Sequence, residues 1–298
     1  KDPTNGYASK ADNWAKNLVL ETMATYNKTF NKNHSLNVVA AFSYERGDYG
    51  NKAMVATGFP QDLTEDFDMS AAVNPQKPTS GRGMTSLVSF LGRANYNLMN
   101  KYLFTASFRR DGSSKFAPGN KWSNFASGAI AWRASEEQFI KDLNLFSNLK
   151  FRASYGQTGN QAIGAYATRD YLTVANYPIN GALSSGFANL TWRGPANPDL
   201  KWETTSQYNV GVDMGFLQNR INLTVDLYYK KTSDLLQNIQ IPQSTGFSNM
   251  TTNFGNVTNK GLEITGKFYA ITGKNFNWDF DANISFNRNK ISGLPGVL

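Results

Sequence analysis

The sequence predicts an all-β chain: antiparallel strands of a transmembrane β-barrel, about ten of them, forming one arc of a wider cylinder. Three observations predict it. Apolar and polar residues alternate in stretches long enough to cross a bilayer as tilted strands. The connections sort by end, tight at one and long at the other. The side opposite the apolar one is polar but weakly charged: 17% of the 298 residues are charged, against roughly 25% in soluble domains. Asn, Ser, Thr, Gly and Tyr carry the polar share, as suits strands facing water inside a cylinder.

The clearest pair runs from Gln207 to Lys230. Tyr208, Val210, Val212, Met214 and Phe216 alternate with Asn209, Gly211, Asp213 and Gly215. After the turn at residues 217–220, Ile221, Leu223, Val225, Leu227 and Tyr229 alternate with Asn222, Thr224, Asp226, Tyr228 and Lys230. This is a β-hairpin with one apolar and one wet face. The apolar face needs a partner, either a second sheet or lipid.

In chain order, residues 1–16 read as a polar loop. Leu18–Tyr26 and Leu36–Tyr44 alternate around a polar turn and form the first hairpin. Alternation is lost over 46–84, where Gly, Asp, Asn and Pro are frequent. Val88–Leu98 and Tyr102–Phe108 form the second hairpin, with Arg93, Asn95, Thr105, Ser107 and Arg109 on the polar side. Trp122–Trp132 is the fifth strand. Ser135-Glu136-Glu137-Gln138 reads as a capped helical turn with Ser135 as N-cap. Leu149–Tyr155 is the sixth strand, and the Gln207–Lys230 hairpin supplies two more. Leu262–Ala270 and Phe276–Phe286 complete the set, joined at residues 272–275.

This yields one partial barrel domain over 1–298, with long loops at about 46–85, 157–201 and 233–259, expected to be extracellular. A secreted β-sandwich, such as an adhesin or carbohydrate-binding module, fits the composition equally well. It gives no reason, however, for loops to sort by end. Tyr96, Tyr102, Trp122, Trp132, Phe216, Phe276 and Trp278 lie near strand ends, as interfacial girdles do. Aromatics are also simply common in strands. The polar side carries small residues, so the lumen is wide, and an arc of ten strands by itself would leave two raw edges.

Other classes fall away. With no cysteine there are no disulfides, thiol nucleophiles or iron–sulfur ligands. His34 sits in a polar run that reads as a solvated turn, with no evident partners for a metal site or triad. No metal and no cofactor is expected. The net charge is +8, but the basic residues are scattered, so no nucleic-acid partner is expected. No apolar run is long enough for a transmembrane helix, and no signal peptide opens the sequence. Glu136-Glu137 is an adjacent carboxylate pair that reads as a helix first turn, and there is no phosphate-binding glycine loop or nucleophile elbow. No enzymatic activity is expected.

Five strings carry a family likeness: Phe108-Arg109-Arg110-Asp111-Gly112-Ser113-Ser114-Lys115-Phe116; Ala131-Trp132-Arg133-Ala134-Ser135-Glu136-Glu137-Gln138-Phe139; residues 149–160 (LKFRASYGQTGN); Asn197-Pro198-Asp199-Leu200-Lys201-Trp202-Glu203; and residues 255–263 (GNVTNKGLE). In order and spacing the set resembles the SusC/RagA-type TonB-dependent transporters of the Bacteroidetes outer membrane. The resemblance implies a 22-stranded barrel with an N-terminal plug, a TonB complex that energises it, and a SusD-like surface lipoprotein closing over its mouth. It implies import of oligosaccharides and, in some members, peptides. Plug, TonB box and closing C-terminal strand are not in the sequence, which reads as the middle of the barrel. A siderophore or cobalamin receptor of the broader TonB-dependent class, without a lipoprotein lid, is the alternative.

Candidate ligand contacts are the loop aromatics Tyr166, Tyr171, Tyr177, Phe187 and Trp192, whose flat faces suit sugar rings. They suit packing of the loop, or contact with a lid, equally well. The lumen-facing polar set is Asn209, Asp213, Asp226, Asp279 and Asp281. Its carboxylates are placed to line a route, to pair with a plug, or to stand as hydrated wall positions.

Overall fold

The computed structural model describes residues 6–61, 67–179, 182–189 and 194–293. The strands are β1 (Tyr7–Phe30), β2 (His34–Thr57), β3 (Asn74–Pro75), β4 (Thr79–Leu98), β5 (Tyr102–Ser113), β6 (Trp122–Arg133) and β7 (Phe146–Asn160). They continue as β8 (Leu172–Ile179), β9 (Ala182–Asn189), β10 (Glu203–Phe216), β11 (Ile221–Ser233), β12 (Leu236–Gln240), β13 (Asn249–Asn253), β14 (Asn256–Thr272) and β15 (Asn277–Ser292). One short helix, α1 (Gln138–Lys141), lies between β6 and β7.

The main sheet runs β1-β2-β4-β5-β6-β7-β10-β11-β14-β15, with the two-residue β3 beside β2. Each long strand therefore pairs with the next long strand in the chain, an up-and-down meander. A Greek-key sandwich needs a strand that returns across its sheet, and none does so among the described residues. The sandwich reading is set aside on this order. Among the described residues β1 and β15 each pair on one side only.

By contact density the chain divides into two units, residues 1–20 with 44–87, and residues 21–43 with 88–298. In the first, Arg82 donates to Asp48 through Nε and Nη2, at 3.0 and 2.6 Å. The Trp14 ring lies 2.8 Å from where a Cβ on Gly50 would sit. The second unit carries the remaining ladders.

Several sequence boundaries differ from the structure, and the reason is shared. Residues 7–16, read as loop, belong to β1; residues 46–57 and 79–85, read within the first long loop, extend β2 and β4. Alternation reports that one side of a strand meets an apolar medium. Backbone pairing needs no such pattern and continues where both sides are wet. The segments 157–201 and 233–259 likewise contain hairpins, β8–β9 and β12–β13. Ser135 lies inside a 3-10 turn (Ala134–Glu136) and does not cap it; Glu137 stands at the N-cap position of α1. His34 begins β2, and its Nδ1 lies 2.5 Å from the Tyr96 hydroxyl.

At one end of the second unit the connections are tight. Asn31 and Lys32, Met99 and Asn100, and Leu217 through Asn219 all take positive φ between 49° and 63°. Paired left-handed residues match the right-handed twist of the flanking strands, so non-glycine residues are held there by the hairpin itself. The β6–β7 connection is longer and is fastened by Glu137. Its carboxylate accepts from Lys101 Nζ at 2.8 Å, the Tyr102 hydroxyl at 2.8 Å and Trp132 Nε1 at 3.4 Å. The Lys101 ammonium first, then the Tyr102 hydroxyl, hold that carboxyl below the usual range. A depressed carboxylate stabilises above its unfolded pKa, about 4.3, and the contribution is lost as pH falls through the lower folded value. Glu137→Gln is therefore expected to lower the urea unfolding midpoint at pH 7 and to match wild type once both are acidified well below pH ~4. An equal deficit at both pH values would refute the assignment.

Among the described residues nothing covers the apolar side. Val210, Leu227 and Phe286 are 58%, 55% and 57% exposed. A contiguous exposed apolar face of this extent on a chain of this length calls for a non-aqueous medium, and lipid supplies it.

Candidate functional site

Parity places the opposite side of the sheet toward the barrel interior, and a hydrogen-bonded network runs across it. Asn37 donates to Asn27 at 2.6 Å, Asn95 to Asn37 at 2.8 Å, and the Thr105 hydroxyl to Asn95 at 2.9 Å. This amide ladder crosses β1, β2, β4 and β5 on one face. Ser107 and Ser127 continue it at 2.6 Å between β5 and β6. On a water-lined wall each such pair keeps a polar side chain in place without adding charge.

The charged centre of this wall lies on β7, β10 and β11. Asp213 is paired with Lys150 and Thr224 along the ladders, and Gly211 with Arg152 and Asp226. Arg152 reaches both carboxylates. Its Nε and Nη2 donate to Asp213 at 2.9 and 3.0 Å, and Nη2 also donates to Asp226 at 3.1 Å. The Thr224 hydroxyl donates to Asp213 at 3.2 Å. Gly211 makes room for this arrangement: a Cβ there would fall 2.2 Å from Asp226 Oδ1 and 2.9 Å from Arg152 Nη2. The three side chains are 34%, 23% and 29% exposed, so water still reaches them and moderates the interaction.

By register Asn209, Asp213, Asp226, Asp279 and Asp281 share the side of the sheet opposite the apolar one, but they do not form one group. Asn209 donates to Ser154 at 3.4 Å and accepts from Gln207 at 3.0 Å. Asp213 and Asp226 meet at Arg152. Asp281 stands opposite Lys267, with their charged atoms 4.0 Å apart, and Asp279 opposite Tyr269, both near the tight turn after β14. Sequence reading missed Arg152 as the bridging cation. The signal was present: Arg152 alternates with apolar Phe151 and Ala153, but which carboxylates it meets depends on register.

At the other end of the strands the loops build a small buried core. Phe116, Leu200 and Ser113 are fully buried, and Phe125 and Trp202 nearly so. The Trp202 ring lies 5.3 Å from Phe116 and 5.8 Å, edge-on, from Phe125, and its Nε1 donates to the Lys121 carbonyl at 3.0 Å. Gly159 packs against Phe125 so closely that a Cβ would lie 2.0 Å from the ring. Lys115 donates to the Gln161 carbonyl at 3.3 Å, and burial pushes its ammonium pKa down. Asn197 donates to the Thr251 carbonyl, and Asn253 to those of Lys201 and Asp234. Three of the five sequence strings thus converge here, on one knot that fixes the bases of the loops at 157–201 and 233–259.

The loop aromatics are dispersed. Tyr166 has φ 62° in a turn, with the Arg169 guanidinium 5.9 Å from its ring. The Tyr171 hydroxyl donates to the Ala165 carbonyl at 3.1 Å, so this residue ties the same turn together. Phe187 is 76% exposed on β9. Tyr177 pairs with Ser184 and Phe187 with Val174, positions of opposite parity on the β8–β9 hairpin. Trp192 lies outside the described residues. Among the described residues no group of three or more His, Asp or Glu side chains is placed to hold a metal.

Comparison with known proteins agrees with this architecture. A family model described as TonB dependent receptor-like, beta-barrel, matches residues 2–296. TonB-dependent receptor P39 of Formosa agariphila is 38% identical over 276 residues, which are 92% of this chain and 26% of the relative. TonB-dependent receptor SusC of Bacteroides thetaiotaomicron is 41% identical over 217 residues, 71% of this chain and 21% of that protein. The structure of the RagAB peptide importer in its closed-closed state superposes with a TM-score of 0.86 at 27% identity, over 98% of this chain and 32% of that one. The chain thus spans about a quarter to a third of the length of the relatives it matches. Meander, lipid-facing side, polar lumen wall and family match agree: the chain belongs to the TonB dependent receptor-like β-barrel family, as an outer-membrane barrel segment of the SusC/RagA type.

Proposed function

We propose that the whole protein to which this segment belongs imports oligomeric nutrients, oligosaccharides or peptides, across the outer membrane. The likeness to SusC and to the RagAB peptide importer over most of this chain carries the reading. In it, a TonB complex supplies the energy through a region outside this sequence, and a SusD-like surface lipoprotein closes over the mouth. The long-loop end faces the outside of the cell. Tyr166, Tyr171, Tyr177, Phe187 and Trp192 belong to the loop surface that meets ligand or lid, with Phe187 more exposed than Tyr166 and Tyr171. Asn209, Asp213, Asp226, Asp279 and Asp281 line the lumen wall, and Arg152 holds the middle pair rigid. No step in this reading is a chemical reaction, and none calls on a cofactor.

The test is to tag the full-length protein, solubilise the outer membrane in mild detergent and identify what co-purifies by mass. A surface lipoprotein in stoichiometric amount is the expected result. Recovery from the outer membrane without one would overturn the lidded-importer reading in favour of a siderophore-type receptor.

A further inference from the structure

The lipid-facing side of the last four long strands carries an unusual concentration of positive charge. Register sets Tyr155, Tyr208, Tyr229, Lys260 and Arg288 side by side in one rung. The next rung toward the long loops holds Gln157, Ser206, Lys231, Thr258 and Lys290. Lys260 and Arg288 stand directly opposite each other, an arrangement that destabilises a strand pair unless something offsets it. No acidic residue shares this face in these two rungs. None occurs in the rung above (Gly159, Thr204, Ser233, Asn256, Ser292) or below (Ala153, Val210, Leu227, Leu262, Phe286). Among the described residues the four cations have no ion-pair partner.

Two further features define the patch. Below Lys260 and Arg288 the face forms an open groove of about 500 Å³, lined by Tyr208, Val210, Leu227, Leu262 and Phe286. Tyr155 and Tyr208 lie 4.7 Å apart and Tyr208 and Tyr229 6.4 Å apart, a row of rings at the edge of the apolar band. Depth agrees: from Ile221 to Lys231 the strand rises about 33 Å, or roughly 25 Å along the bilayer normal once tilted, the height of the apolar band. Lys231 and Lys290 therefore stand at the edge of the hydrocarbon, and the long side chains of Lys260 and Arg288, one rung below, extend to the same headgroup level.

We propose that this patch binds a phosphorylated lipid of the outer leaflet, with phosphate on Lys231, Lys260, Arg288 and Lys290 and an acyl chain in the groove beneath. Anionic headgroup and apolar tail match the two halves of the patch, and the phosphate removes the cross-strand repulsion. This rests on the long-loop end facing outward.

The full-length protein, purified in neutral detergent, is titrated by native mass spectrometry. The probes are diphosphorylated lipid A, its dephosphorylated form, phosphatidylglycerol and inorganic phosphate. Diphosphorylated lipid A is expected to bind about tenfold more tightly than the dephosphorylated form. Combined Lys231→Gln, Lys260→Gln, Arg288→Gln and Lys290→Gln abolishes that difference, and the milder pair Lys260→Gln with Arg288→Gln reduces it. Lys230→Gln, on the opposite face, keeps it. Equal affinity in wild type and in both multiple variants overturns the proposal. Tighter binding of phosphatidylglycerol, or equal binding of inorganic phosphate, also overturns it. Lipoprotein co-purification is a separate readout, so failure of the importer reading is told apart from failure here.

Discussion

Trp202→Ala is expected to open the loop knot while leaving the barrel ladders paired. The ring is 6% exposed, packs on Phe116 and Phe125, and donates to the Lys121 carbonyl. Removing a buried indole of this kind costs about 3–5 kcal/mol. Trp202 joins residues 113–121 to 197–202 outside the long ladders, so the loss is expected as local opening and not as global melting. Hydrogen exchange reads it directly: amides of Ser113 to Lys121 should lose protection by roughly 150-fold or more, since each 1.4 kcal/mol is about tenfold. The centre of β10 and β11 should exchange as in wild type. Unchanged protection over 113–121 would show that the knot is held by something other than Trp202.

Arg152→Met is the second large effect expected, and it acts on the lumen wall. The substitution keeps much of the side-chain volume but leaves Asp213 and Asp226, diagonal neighbours on β10 and β11, without the guanidinium that bridges them. Breaking a fully buried pair costs about 3–5 kcal/mol; with a quarter to a third of each side chain in water, about 2 kcal/mol is expected here. Urea unfolding of the full-length protein in detergent measures it. The interpretation is checked by a cycle. Adding Asp213→Asn and Asp226→Asn to Arg152→Met should recover most of the loss, because neutral amides do not repel. If the triple variant is as unstable as the single one, the cost comes from packing and the electrostatic account fails. Gly211→Val should disturb the same cluster by steric means, since a Cβ there meets Asp226 before any methyl is added.

The long hairpins were legible because a period of two is unambiguous when one side meets lipid. Val210, Val212, Leu223 and Val225 are apolar for a reason that acts on each residue alone, the medium it faces. The same rule failed at both edges of the lipid. Residues 7–16, 46–57 and 79–85 extend β1, β2 and β4 without an apolar face, so the pattern vanished where the pairing did not. The β8–β9 and β12–β13 hairpins were hidden for the same reason, since both sides of a loop hairpin are wet. Ser135 misled because a capping pattern in sequence carries no information about a competing 3-10 turn.

By itself the sequence determined the ten long strands, their antiparallel meander, which side of them is apolar and which polar, and, through its ordered strings, the family. All of these follow from residue type and spacing along one chain. Tertiary structure decided which residues meet. Arg152 lies 61 residues from Asp213 and 74 from Asp226. Phe116, Trp202 and the Gly159 backbone come from three separate segments. The four outward cations sit on three strands, and their alignment into two rungs is a property of register. Register is fixed by turn geometry and by bulges such as those at Gly215/Phe216 and Tyr269/Ile271. A one-residue slip would send every one of these side chains to the opposite face, so the clusters are written in pairing, which composition and periodicity do not specify.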